Sequence, residues 1–152
     1  MRRLTAVWIG VLGGLVCTAA AAQSSVGVGI VVGDPTGLSV KFRLSRVNAL
    51  DTALAWSLSD DNDLHVRADY IWHKYDVISV KKGRLPLFFG VGGRIEFREV
   101  SDDRVGIRFP VGLDYYFSGA PFDVFVELAP VLDVAPDTDF DIEGAIGGRF
   151  WL

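Results

Sequence analysis

His65, Asp69 and His73, with the acidic run Asp60-Asp61-Asn62-Asp63 and the glycine-rich Gly90-Val91-Gly92-Gly93, are the residues here whose types could do chemistry. A Ser-His-Asp set would need its members within hydrogen-bond reach of one another. Their own segment argues against that. Leu64 to Lys74 alternates, with Val66, Tyr70 and Trp72 against His65, Arg67, Asp69 and His73, the pattern of an extended strand. At strand rise His65 and His73 are ~26 Å apart, and His65 and Asp69 ~13 Å. No helix pattern follows Gly90–Gly93, so those glycines do not form a phosphate loop. The acidic run lacks the spacing and the glycine of an EF-hand. The expectation is a chain with no catalytic residues, no cofactor and no metal site, whose histidines fill space.

The elements that hold these residues are read most easily from VGIRFPVGLDYYF, Val105 to Phe117. Val105, Ile107, Phe109, Val111, Leu113, Tyr115 and Phe117 are large and apolar, and the residues between them are small, charged or polar. Successive strand side chains point to opposite faces, so this stretch has one greasy wall and one polar wall. Seven more segments repeat the pattern: Ser25–Val32, Leu38–Ser45, Ala49–Leu58, Leu64–Lys74, Leu85–Phe97, Phe122–Leu132 and Phe140–Leu152. Turn-forming residues separate them, with Tyr75–Arg84 as a longer, basic connection. Eight such strands joined by hairpins predict an all-β, antiparallel up-and-down barrel.

Bulk properties agree with an exported barrel. Arg2 and Arg3, an apolar run from Leu4 to Val16 and Ala20-Ala21-Ala22 read as a cleaved secretory signal over residues 1–22. The barrel domain is then 23–152, and Cys17 lies within the signal. Of 15 basic residues Arg2 and Arg3 leave with it, so 13 face 19 acidic ones. That balance argues against a nucleic-acid partner.

Which wall faces out is decided by bulk and charge. The apolar wall carries Phe42, Trp56, Tyr70, Trp72, Phe89, Phe97, Phe109 and more aromatics besides, too much for the interior of an eight-stranded barrel. The polar wall mixes long charged side chains with Gly27, Gly29, Gly90, Gly92, Gly106, Gly112 and Gly147, as a narrow packed lumen requires. No strand places a charge on the apolar wall, and Trp56, Tyr70, Trp72, Tyr115, Phe117 and Phe150 lie near strand ends as interfacial girdles do. The expected location is the bacterial outer membrane, with the protein monomeric and contacting membrane lipid and lipopolysaccharide.

LPLFFGVGGRIEF (Leu85–Phe97), VGIRFPVGLDYYF, FVELAP (Phe125–Pro130) and GAIGGRFWL (Gly144–Leu152) resemble the motifs of an uncharacterised family of small outer-membrane barrels, related in architecture to OmpA and OmpX. The resemblance implies an eight-stranded barrel without catalytic residues.

On the polar wall, hairpin registers give a layout. A turn centred at 119–120 pairs Asp114 with Phe125 and Tyr116 with Asp123. One centred at 135–136 sets Glu127 opposite Gly144 and brings Asp123 near Arg149, and the hairpin around 100 brings Arg94 near Arg108. One charge layer at the midplane is expected from Arg67, Arg94, Arg108, Glu127 and Glu143. A second, toward the periplasm, is expected from Arg43, Asp51, Asp69, Asp114, Asp123 and Arg149. Charges sealed in a lumen must be paired. Such a network either fills the barrel or lines a narrow ion or solute path. A soluble lipocalin-like carrier of an apolar ligand is the other alternative. Pro110 and Pro130 fall nearly opposite each other and lack N–H groups, so the ladder is expected to bulge or open there. Finally, Asp34, Asp60, Asp61, Asp63, Glu99, Asp102, Asp103, Asp133, Asp137 and Asp139 are expected in outer loops. There they form either a solvated rim or, through bridging cations, a contact with lipopolysaccharide phosphates or another surface partner.

Overall fold

A computed structural model describes residues 25–33, 36–56, 63–98 and 102–152. The signal segment, Asp34, Asp60 to Asn62 and Glu99 lie outside them. The described chain forms β1 (Val26–Gly33), β2 (Thr36–Arg43), β3 (Asn48–Trp56), β4 (Leu64–Lys74), β5 (Leu87–Phe97), β6 (Arg104–Arg108), β7 (Val111–Tyr116), β8 (Phe122–Ala135) and β9 (Asp139–Trp151). All neighbours are antiparallel. The ring closes because β1 pairs with β9 as well as with β2, while β6 and β7 together fill the place between β5 and β8. Eight staves therefore surround one lumen, and the sixth is split in two.

The split falls at Phe109-Pro110, where the prolines lead one to expect an open ladder. The register is the same on either side: Arg108 pairs with Val131, and Val111 with Leu128. A strand residue aims its N–H and C=O the same way. Pro110 accepts from Gly90 N–H at 2.9 Å and Pro130 from Phe109 N–H at 3.0 Å. The donor each proline lacks would have returned those bonds, so one rung is lost on the β5 side and one on the β8 side. A further irregularity lies at Val105/Gly106, where β6 shifts register against β8.

One expected register needs correction. Glu127 pairs with Ala145 and not Gly144, while Asp123 does pair with Arg149. Residues directly opposite in a ladder share a face, so Glu127 must meet an inward residue of β9, and Gly144 points outward. The hairpin around 100 brings Arg94 near Arg108 as expected: Arg94 pairs with Gly106 and Arg108 with Gly92, so the two arginines are diagonal neighbours. The turn at 119–120 gives the expected pairs, Asp114 with Phe125 and Tyr116 with Asp123.

The walls face as charge and bulk require. Phe89, Phe109 and Val126 are 39%, 49% and 48% exposed, whereas Arg94, Arg108 and Glu127 are 5%, 0% and 4% exposed. On the outward wall Trp72 stacks on Phe89, and Tyr115 and Phe122 pack on Phe117, forming an aromatic band at the end that holds the start of β1 and the finish of β9. The interior is not purely polar. Phe88, Ile71, Ala49 and Phe125 form a buried cluster toward that end, with Tyr116 and Trp151 also buried. Inward parity places all of them in the lumen, where the rings of Phe88, Phe125 and Trp151 fit against Gly112, Gly147 and Gly27.

Candidate functional site: the charged lumen

The midplane of the lumen is organised around Arg108, which is completely buried. Its guanidinium reaches Asp69 at 3.1 Å, Glu127 at 2.7 Å and Glu143. Arg67 shares Glu127 at 3.0 Å. Arg94 shares Glu143 and also holds Asp133 through Nη2 at 2.8 Å. Three guanidiniums and four carboxylates thus form one continuous plug. In a low-dielectric lumen each carboxylate needs such charge-assisted partners, and the planar fork of arginine can serve two or three at once.

Glycines make these contacts possible. Asp69, Gly92 and Arg108 lie side by side on β4, β5 and β6, and Arg94, Gly106 and Asp133 on β5, β6 and β8. Strands are about 4.8 Å apart, so each arginine must reach across a whole strand, and the residue between must have no side chain. A Cβ at Gly92 would strike the Asp69 carboxylate and the Ala68 carbonyl, and one at Gly106 would strike the Asp133 carboxylate. Gly92→Ala should therefore push Asp69 off Arg108 and cost about 1–3 kcal/mol. Urea titration of the barrel in detergent, followed by tryptophan fluorescence, measures it.

A second layer lies nearer the chain termini. Arg149, also completely buried, contacts Asp51 at 3.0 Å, Asp114 at 3.1 Å and Asp123 at 3.4 Å, and its guanidinium lies 4.0 Å from the centre of the Phe125 ring. Asp123 also accepts from Trp151 Nε1–H at 3.1 Å. Asp114 is shared with Lys41 and with His73 Nε2, the latter at 3.0 Å. His73 Nδ1 is 3.1 Å from the Val47 carbonyl, which can only accept, so Nδ1 carries a hydrogen. Nε2 then accepts from Lys41, 2.8 Å away, when the ring is neutral, and donates to Asp114 when it is charged.

The plug is flanked by two mouths. Away from the termini, His65, Glu96, Arg104, Asp141 and Glu143 line a cavity of about 180 Å³. Arg104 lies 3.7 Å from Glu96 and from Asp133, and His65 lies 3.6 Å from Glu96. At the terminal mouth Arg43 lies over Trp151, its guanidinium 4.3 Å from the ring centre.

Of the residues assigned to the midplane layer, Arg67, Arg94, Arg108, Glu127 and Glu143 are all brought together. Asp51, Asp114, Asp123 and Arg149 meet in the terminal layer. Asp69 belongs to the midplane layer, because Gly92 opens its path to Arg108. Arg43 joins no ion pair among the described residues and rests on aromatic rings at the mouth. Asp133 is not an outer-loop residue: β8 runs on to Ala135, and Asp133 is buried against Arg94. Lys41 and His73 are further members of the terminal layer. Lys41 lies between Ser39 and Arg43 on the polar wall, so its parity was visible in the sequence, but its depth was not. Asp133 carried a signal too, since the alternation of β8 continues unbroken past Leu132.

Comparison with known proteins rests on the fold. No family model and no curated protein matches the chain. Among solved structures, the N-terminal β-barrel domain of OprF from Pseudomonas aeruginosa superposes with a TM-score of 0.61. The chain shares the OprF barrel fold. The match covers 86% of this chain and 98% of the OprF domain, at 16% sequence identity. The likeness is therefore one of architecture, with few side chains in common.

Proposed function

We propose that this protein is a small integral barrel of the bacterial outer membrane whose lumen is sealed by its own ion-pair plug. Its role is structural or surface-interacting rather than catalytic. The observation that carries the reading is the inversion of the walls: apolar side chains are exposed around the ring while arginines and carboxylates are buried within it. Water would not favour that arrangement, whereas hydrocarbon does. Similarity to the OprF barrel supports it. A carrier of apolar ligands would want an open apolar cavity, whereas ion pairs occupy the middle of this interior.

In such a barrel the termini face the periplasm, and Asp102, Asp103, Asp137 and Asp139 face outward toward lipopolysaccharide. Sealing follows from the continuity of contacts from Arg67 through Glu127, Arg108 and Glu143 to Arg94. Planar-bilayer recording should show no unitary conductance, with Glu127→Ala equally silent. Discrete openings in the unaltered protein would replace the sealed plug by a narrow pore.

A further inference from the structure

At the mouth where both chain termini emerge, positive charge is left over. Arg43, Arg46 and Arg84 line a depression of about 520 Å³ with Val47 and Tyr75. Arg67, Arg94, Arg104, Arg108 and Arg149 each have at least one carboxylate partner. Arg43, Arg46 and Arg84 have none among the described residues. The neighbouring connection offers one acid, Asp76, which is exposed, while Lys81 and Lys82 add further positive charge.

Two of these arginines are held on aromatic faces. The Arg43 guanidinium lies 4.3 Å from the centre of the Trp151 ring and 5.5 Å from that of Tyr116. The Arg84 guanidinium lies 5.3 Å from Tyr75 and 5.5 Å from the same Tyr116 ring. Arg84 is also fixed through its backbone, donating to Tyr116 O at 3.0 Å and accepting from Tyr116 N–H at 2.8 Å. Stacking on a ring immobilises a guanidinium while leaving its N–H edge open to an oxyanion.

We propose that this mouth binds a phosphate-bearing anion. Three cations around one depression are poorly matched by a single carboxylate. A phosphate group carries close to two negative charges and three acceptor oxygens, enough for bidentate contacts from Arg43 and Arg84 together. The volume lies within the range of about 300–1,000 Å³ typical of small-ligand sites. The group could come from a free phosphate ester or from a lipid headgroup. An adjoining depression of about 180 Å³, shared by Arg43 and Arg84, reaches Phe117 and Phe122 on the outward wall, where acyl chains would lie.

The test is titration of the folded protein in dodecyl maltoside, which carries no phosphate. Sodium pyrophosphate is the probe, read by calorimetry and by Trp151 fluorescence at constant ionic strength. Saturable binding is expected, weakened about tenfold or more in Arg43→Gln/Arg84→Gln and changed less than about twofold in Lys81→Gln/Lys82→Gln. Should the arginine variant fail to fold, phenylglyoxal labelling of the unaltered protein gives a second reading, with pyrophosphate expected to protect Arg43 and Arg84. Repeating the titration in phosphatidylcholine vesicles with and without phosphatidic acid separates the sources. Competition by phosphatidic acid assigns a headgroup, and undiminished binding assigns a free phosphate. Absence of saturable binding, equal binding by the arginine variant, or unprotected arginines would overturn the proposal.

Discussion

Arg108→Met should cost about 3–5 kcal/mol of barrel stability, the range for removing one partner of a buried ion pair. The loss is large because one guanidinium serves Asp69, Glu127 and Glu143. Glu127 keeps Arg67 and Glu143 keeps Arg94, but Asp69 has no other ion pair among the described residues. Methionine matches the volume of the arginine stem, so the deficit is one of charge and hydrogen bonding. Adding Asp69→Asn to Arg108→Met should recover much of the loss, because the one orphaned charge is then gone. Urea unfolding in detergent, together with the heat-dependent gel shift of the folded barrel, reads both steps. A single variant as stable as the parent would mean that the plug does not hold the staves together.

Val126→Arg should destabilise the barrel by about 2–4 kcal/mol when it is folded into lipid vesicles. Val126 stands on the outward wall between Leu113 and Ile146, well inside β8. An arginine there can neither pair with a neighbour nor reach water without deforming the bilayer. The same change at Val134, near the opposite end of β8 and equally outward, should cost only about 0–1 kcal/mol, since the penalty falls with depth. Urea titration in vesicles compares the two variants directly. Equal costs at both positions would remove the depth dependence that a lipid-facing wall demands.

Much of this architecture was legible in the sequence because a two-residue period is a strong signal. VGIRFPVGLDYYF displays both walls in thirteen residues, and its proline marks the break between β6 and β7. Wall orientation was legible too, since glycines beside arginines suit a narrow lumen and a wall of phenylalanines does not. Depth was harder. Staves tilt and stagger around a barrel, so a residue's place along its strand does not fix its height in the lumen. Strand position alone therefore puts Asp69 one layer too near the termini, and it gives no depth for Lys41. Long side chains added to the difficulty. Arg108 and Arg94 bypass their immediate neighbours and cross Gly92 and Gly106 to carboxylates one strand further on, a reach that pairwise registers do not reveal. Arg43 failed for another reason: its parity is inward, but at the mouth aromatic faces replace carboxylates as its partners.

The central claim is most directly tested by single-cysteine labelling of the folded barrel in lipid vesicles, starting from a parent in which Cys17, the sequence's one cysteine, is changed to alanine. Val126→Cys should take a nitroxide label that collides readily with oxygen and hardly at all with a water-soluble nickel chelate. Ala129→Cys, on the inward wall of the same strand, should stay unlabelled until the barrel is unfolded. A freely labelled, nickel-accessible Ala129→Cys beside a protected Val126→Cys would contradict the account.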